Sequence, residues 1–250
     1  MTTRTTPAAL PAYSRAQRVT QARVMKSEWT KLRTAPAALW SLLSALILVV
    51  AFGVLYSLLR EARPPHGAQV AAFDPTSVSL AGVQLAQIAV GVLGVLLITS
   101  EYATGLIRTT LAAVPKRLPA LWGKAATLTA AILAISLPAA LIAFTVGQSI
   151  LGRQHLSVGL GAPGVARAVI GSALYLAVAG LLGLALGTLL RSTAGGISAL
   201  FGVLFALPIV AGFLPGSLAD EVSKFLPSGA GQAITTVHPD PATSLSPWTG

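Results

Sequence analysis

The chain has 250 residues, of which 54% are hydrophobic and only 10% charged. Its mean hydropathy is +0.76. Soluble domains carry about 25% charged residues, so this chain lacks the polar surface that water demands and reads as an integral membrane protein. There are no cysteines, which excludes disulfides, thiolate zinc sites and thiol catalysis.

Residues 1–36 are polar and basic. Arg4, Arg15, Arg18, Arg23, Lys26, Lys31 and Arg33 accompany a single acid, Glu28. No Pro or Gly interrupts 13–33, and Ala22, Met25, Trp29 and Leu32 recur at helical spacing. This predicts an interface helix lying on a membrane surface. Met25, Trp29 and Leu32 form its apolar stripe, and Glu28, Lys31 and Arg33 flank it, with the cations towards anionic lipid.

Residues 37–59 form the first span, with no acidic or basic residue. At 1.5 Å per residue it reaches roughly 35 Å, enough for a hydrocarbon core of about 30 Å. Pro36 stands where a helix start tolerates proline. A polar loop leads to the second span, 77–100, which carries Gln84 and Gln87 one turn apart. Two amides in lipid need protein or water partners. Together with Ser44 they are candidates for a substrate pathway, or else for hydrogen bonds between helices.

A basic stretch, 101–124, separates the second and third spans. Residues 103–113 read as a short helix that ends before Pro115, since a residue preceding proline is driven out of helical conformation. The third span, 120–148, contains Pro138, which predicts a kink. The fourth, 168–190, has Gly180, Gly183 and Gly187, a pattern that favours close helix packing. Arg191 to Gly196 reads as a tight turn. The fifth span, 197–214, contains Pro208 and a second predicted kink. The tail, 215–250, is polar, with one short helical piece expected at 222–226, and reads as an extracytoplasmic loop. The fold class expected is therefore all-α, with five spans forming a transmembrane domain over 37–214.

Charge sets the expected orientation. With a cytoplasmic amino terminus, twelve of the seventeen Lys and Arg residues fall inside and five outside. That bias obeys the positive-inside rule. It also accounts for the net charge of +10 without nucleic acid, for which no compact basic domain exists. No phosphate-binding loop occurs, and His66, His155 and His238 lie far apart on loops. No residue pair suggests catalysis, metal binding or a resident cofactor, so the chain is not expected to be an enzyme.

SEWTKLRT (27–34), ITSEYATGLIRTTLAAVPKRLPALWGK (98–124), FLPSGAGQAI (225–234) and LSPWTG (245–250) resemble, in that order, the permease subunits of ABC exporters of the ABC-2 type. The pattern Glu-Tyr-x-x-Gly, Arg-x-x-Leu-x-x-x-Pro, Arg carries most of the likeness. Leu106 departs from it, standing where a small polar residue is expected. The resemblance implies a plasma-membrane permease that pairs with a second permease subunit and binds a separate ATP-hydrolysing subunit, where the ATP resides. It implies that the interface helix and the 103–113 helix contact that ATPase through Glu101, Tyr102, Gly105, Arg108, Leu111, Pro115, Lys116 and Arg117. It also leads us to expect a sixth span after Trp248. The competing expectation is a membrane scaffold or assembly protein that transports nothing and binds a partner through the same basic face.

Overall fold

The computed structural model describes residues 21–67, 73–105 and 117–237. These residues are helical with short connections, and none forms a strand. Five helices are long and apolar enough to cross a membrane, so the chain is an all-α integral membrane protein.

Helix α1 (Gln21–Thr34) gives way at Ala35 to α2 (Pro36–Ala62), which starts on Pro36 as a first helical residue. The second span is not one rod. A five-residue helix, α3 (Pro75–Ser79), is followed by a turn over 80–82 and then by α4 (Val83–Ala103). Two features produce the break. The Asp74 carboxylate caps α3 by accepting from the Thr76 backbone N–H at 2.9 Å. Gly82 lies so close to α2 that a Cβ there would stand 2.3 Å from the Leu48 carbonyl oxygen.

Helix α5 (Arg117–Leu151) is longer than expected and stays helical through Pro138. After a single turn at Gly152–Gln154 and a loop comes α6 (Val165–Leu190). The following turn is shorter than the sequence suggests. Arg191 takes a left-handed conformation, Ser192 caps the next helix, and α7 (Thr193–Phe201) already includes Gly195 and Gly196. The fifth span then widens into a π turn, Gly202–Ala206, before α8 (Leu207–Ala211). The Leu207 N–H bonds the Gly202 carbonyl, five residues back. Pro208 has no N–H to continue the ordinary ladder, and the π turn sits immediately before it.

The tail differs most from expectation. In place of one short piece there are two helices, α9 (Gly216–Phe225) and α10 (Pro227–Thr235), and α10 packs against α6. Gly231 faces the Tyr175 ring, ten residues into α6 and so about 15 Å from its start. Pro227 shares a cleft with Leu182 and Leu204, deeper still. The α10 helix therefore climbs from the middle of the bundle to the end where α6 begins. There Arg167 donates to the carbonyls of Ala233, Ile234 and Thr236 at 3.0 to 3.2 Å, capping its last turn. Residues 238–250, including Trp248, lie outside the described residues.

Helices α2, α4, α6 and α5 pack in a ring, each on the next, and the first half of the fifth span leans on α4 and α6. Leu93, Leu128, Ile132 and Leu176 are almost wholly buried inside that ring. The tightest seam is α4 against α6. A Cβ on Gly183 would stand 2.0 Å from the Gly91 carbonyl oxygen, and one on Gly94 would stand 2.0 Å from that of Gly180. Only glycine permits this approach, so the fourth-span glycines do the packing work that their spacing predicts. Gly183→Ala or Gly94→Ala should lower unfolding stability by about 1–3 kcal/mol, because backbone must move aside. Gly202→Ala, with open space around the position, should be neutral or gain up to about 1 kcal/mol. Thermal unfolding in a mild detergent distinguishes the two classes.

Candidate functional site

The interior of the ring is mostly apolar, and buried charge gathers at one end of the bundle. There three helices bring four charged side chains together. Glu28 and Lys31 lie one turn apart on α1, Glu101 on the last turn of α4, and Lys124 near the start of α5.

The arrangement is a closed square of alternating charge. Lys124 Nζ meets Glu28 Oε2 at 2.5 Å and Glu101 Oε1 at 3.0 Å. Lys31 Nζ meets Glu28 Oε1 at 2.6 Å and Glu101 Oε1 at 2.9 Å. Each acid thus touches both ammonium groups. Glu28, Glu101 and Lys124 are each 5% exposed or less, whereas the Lys31 side chain is 42% exposed. Removing three charges from water costs several kcal/mol per ion, which only near-complete pairing offsets. Lys31 completes the pairing from the rim and makes the square electrically neutral. Burial alone would lower the pKa of its ammonium group. Hydrogen bonds to Glu28 and Glu101, and their charges, outweigh that and hold it above the usual lysine value.

The square reorders the predicted surface helix. Glu28 and Leu32 point into the protein, with Leu32 only 2% exposed. Met25 and Trp29, about 40% exposed, face outward with Lys26 and Arg33. The stripe expected to hold Met25, Trp29 and Leu32 on one face is therefore split. Packing on α5 and the pull of Lys124 rotate the acid inward.

The expected coupling residues divide in the same way. Glu101 is buried and fully engaged, so it offers no free charge for docking. Tyr102 is half-buried, with the Arg191 guanidinium 5.9 Å from its ring centre. Gly105, in a left-handed conformation with φ 72°, ends the turn after α4 and has open space around it. Arg117 opens α5. Arg108, Leu111, Pro115 and Lys116, and with them nearly all of the expected 103–113 helix, lie outside the described residues.

The pathway candidates are accounted for by local bonds. Gln87, 2% exposed, donates to the Gln84 backbone and side-chain oxygens at 2.8 and 3.1 Å. It also accepts a hydrogen bond from the Tyr175 hydroxyl, joining α4 to α6. Ser44 donates to the Ser41 carbonyl of its own helix. These are the helix-to-helix and intrahelical bonds that polar groups in lipid require. Among the described residues no group of His, Asp and Glu is placed to hold a metal.

Comparison with protein-family models, curated proteins and solved structures found no match.

Lys124 was missed as a partner by sequence reasoning, although a signal was present. Each long basic segment contains one acid, Glu28 in the first and Glu101 in the second. A lone acid among cations is a natural internal counter-ion. Lys124→Met should destabilise the protein by about 3–5 kcal/mol, because two buried carboxylates are left with one rim lysine. Lys31→Met should cost less, and denaturation of both variants in detergent measures the difference. The stabilisation due to Lys31 is fully present below the ordinary lysine pKa and is lost only as pH rises through the raised folded value. The gap in stability between wild type and Lys31→Met should therefore stay constant from about pH 6 to about pH 9 and shrink at strongly alkaline pH.

Proposed function

We propose that the chain is the transmembrane permease subunit of an ATP-driven exporter of the ABC-2 type. It sits in the plasma membrane with a cytoplasmic amino terminus and is driven by a separate ATPase subunit. The motifs at 27–34 and 98–124 supply the family likeness. One structural observation carries the mechanical part of the reading: the charged square fastens α1, the end of α4 and the start of α5 into one joint. Glu101 and Lys124, which flank the connecting residues 104–116 in the chain, meet in that joint. A force applied to α1 or to the connector is then delivered to two spans together, rather than absorbed by a loop. Alternating access needs such delivery, because ATP acts only by favouring one packing of the bundle over another.

A second reading is a membrane scaffold that transports nothing. The dryness of the single bundle favours it. A cavity lined by α2, α4, α5 and α6 holds only about 10 Å³, and its walls are apolar except for Ser136. An exporter would have to place its pathway between subunits or open it by rearrangement.

Purification in mild detergent with the neighbouring proteins of the cell distinguishes the readings. The exporter reading predicts copurification of an ATPase, lost when residues 105–113 are replaced by a flexible Gly-Ser linker. It also predicts that Lys124→Met retains ATPase binding but loses export. Because the chain has no native cysteine, single cysteines report orientation without background. Thr104→Cys should react only from the cytoplasm and Gln154→Cys only from outside. The reverse pattern, or an ATPase held equally well by the linker variant, contradicts the reading.

A further inference from the structure

At the same end of the bundle, α5 and α6 line an open trough of about 380 Å³. Leu121, Trp122 and Ala125 form one wall, and Leu181, Ala185 and Leu189 the other. Its one polar side chain, Thr188, is already satisfied, donating to the Leu184 carbonyl at 2.7 Å. Apart from the indole of Trp122, its lining side chains therefore offer no free hydrogen-bonding group. Trp122 and Leu189 on its rim are 69% and 75% exposed.

Two measures choose an occupant. The first is length. From Leu189 to Leu181 the trough runs eight residues, about 12 Å along the helix, which fits within one leaflet of a hydrocarbon core about 30 Å thick. A second spanning helix would leave it for most of its length, whereas the upper part of an acyl chain fills it. The second is charge. Arg191, exposed, follows two residues beyond Leu189, and Arg33 is exposed on α1 at the same end. The two acids described at that end, Glu28 and Glu101, are both buried and neutralised. A headgroup above the trough meets cations, with an indole at the level where tryptophan favours the interface.

We propose that this trough is a binding site for one anionic phospholipid, with an acyl chain between α5 and α6 and its phosphate beside Arg191. The site requires only that the chain be in a bilayer and is independent of ATP-driven transport. The test is native mass spectrometry of the full chain, equilibrated with equal amounts of phosphatidylglycerol and phosphatidylcholine carrying identical acyl chains. Phosphatidylglycerol should be retained over phosphatidylcholine by about fivefold, the preference expected from one cation at a membrane surface. Ala185→Phe fills the trough from an exposed position and should abolish retention. Arg191→Asn, which tolerates the left-handed backbone there, should keep retention but remove the preference. Ile170→Phe, exposed elsewhere on α6, should change neither. Equal retention of both lipids by the wild type, or unchanged retention in Ala185→Phe, overturns the proposal. So does equal loss in Ile170→Phe.

Discussion

A charge buried at the end of a membrane bundle is tolerable only when its neutralisation is complete. In this protein that condition joins three helices. Burying Glu28, Glu101 and Lys124 at 5% exposure or less is costly unless each charge is paired, and the Lys124 ammonium stands against both acids while Lys31 closes the square from the rim. The square thus fixes the rotation of α1, the angle at which α4 ends and the register at which α5 begins. Its value lies in geometry more than in net stability. Apolar side chains of similar size could hold the same helices together as firmly, but they would not specify one register as sharply.

The rest of the bundle is held by different means. Between α4 and α6 there is almost no side chain at the closest contacts, and glycine backbones touch. Close backbone approach gains dispersion contacts where lipid offers no hydrophobic drive for helices to associate. At the end away from the square, Gln148 donates to the Pro75 carbonyl and the Ser79 hydroxyl and accepts from the Val158 N–H. One amide thus ties α3, α5 and the loop before α6. Polar fastening at both ends and glycine seams between them leave the α2–α4–α5–α6 ring as a stiff unit. The fifth span is set differently. Its second half leaves the ring after the π turn and carries exposed Leu207, Ile209, Val210 and Phe213. A π turn beside a proline is a place where a helix can bend without losing many bonds.

Much of this architecture was legible in the residues. Span positions follow from length and hydropathy, and the glycine seam from the spacing of Gly180, Gly183 and Gly187. What escaped were features set by neighbours distant in sequence. The break between α3 and α4 depends on Gly82 meeting the α2 backbone, which no local pattern announces. Glu28 was read as the polar flank of a surface helix because its partner, Lys124, is 96 residues away. The 222–226 piece falls almost wholly within α9, but α10 was missed because Gly, Pro and Ser at 227–231 signal a turn when that stretch is read alone. In the fold, Gly229 permits the approach of the Ser223 carbonyl, Gly231 that of the Tyr175 ring, and Arg167 supplies the cap.

These constraints also link two features at one end of the bundle. The square shares an end with the α5–α6 trough, so α5 serves both: Lys124 faces the charged joint, while Trp122 and Ala125 line the trough. A rotation of α5 that loosened its pairing with Glu28 would also change the width of the trough. A lipid chain wedged there would oppose that rotation, or favour it, according to which packing fits the chain better. Differential affinity for two packings is the only way a bound molecule biases a conformational equilibrium. On this geometry, a lipid seated in the trough and a partner bound to α1 would both act on α5, so the binding of each would be linked to that of the other through the packing of that helix.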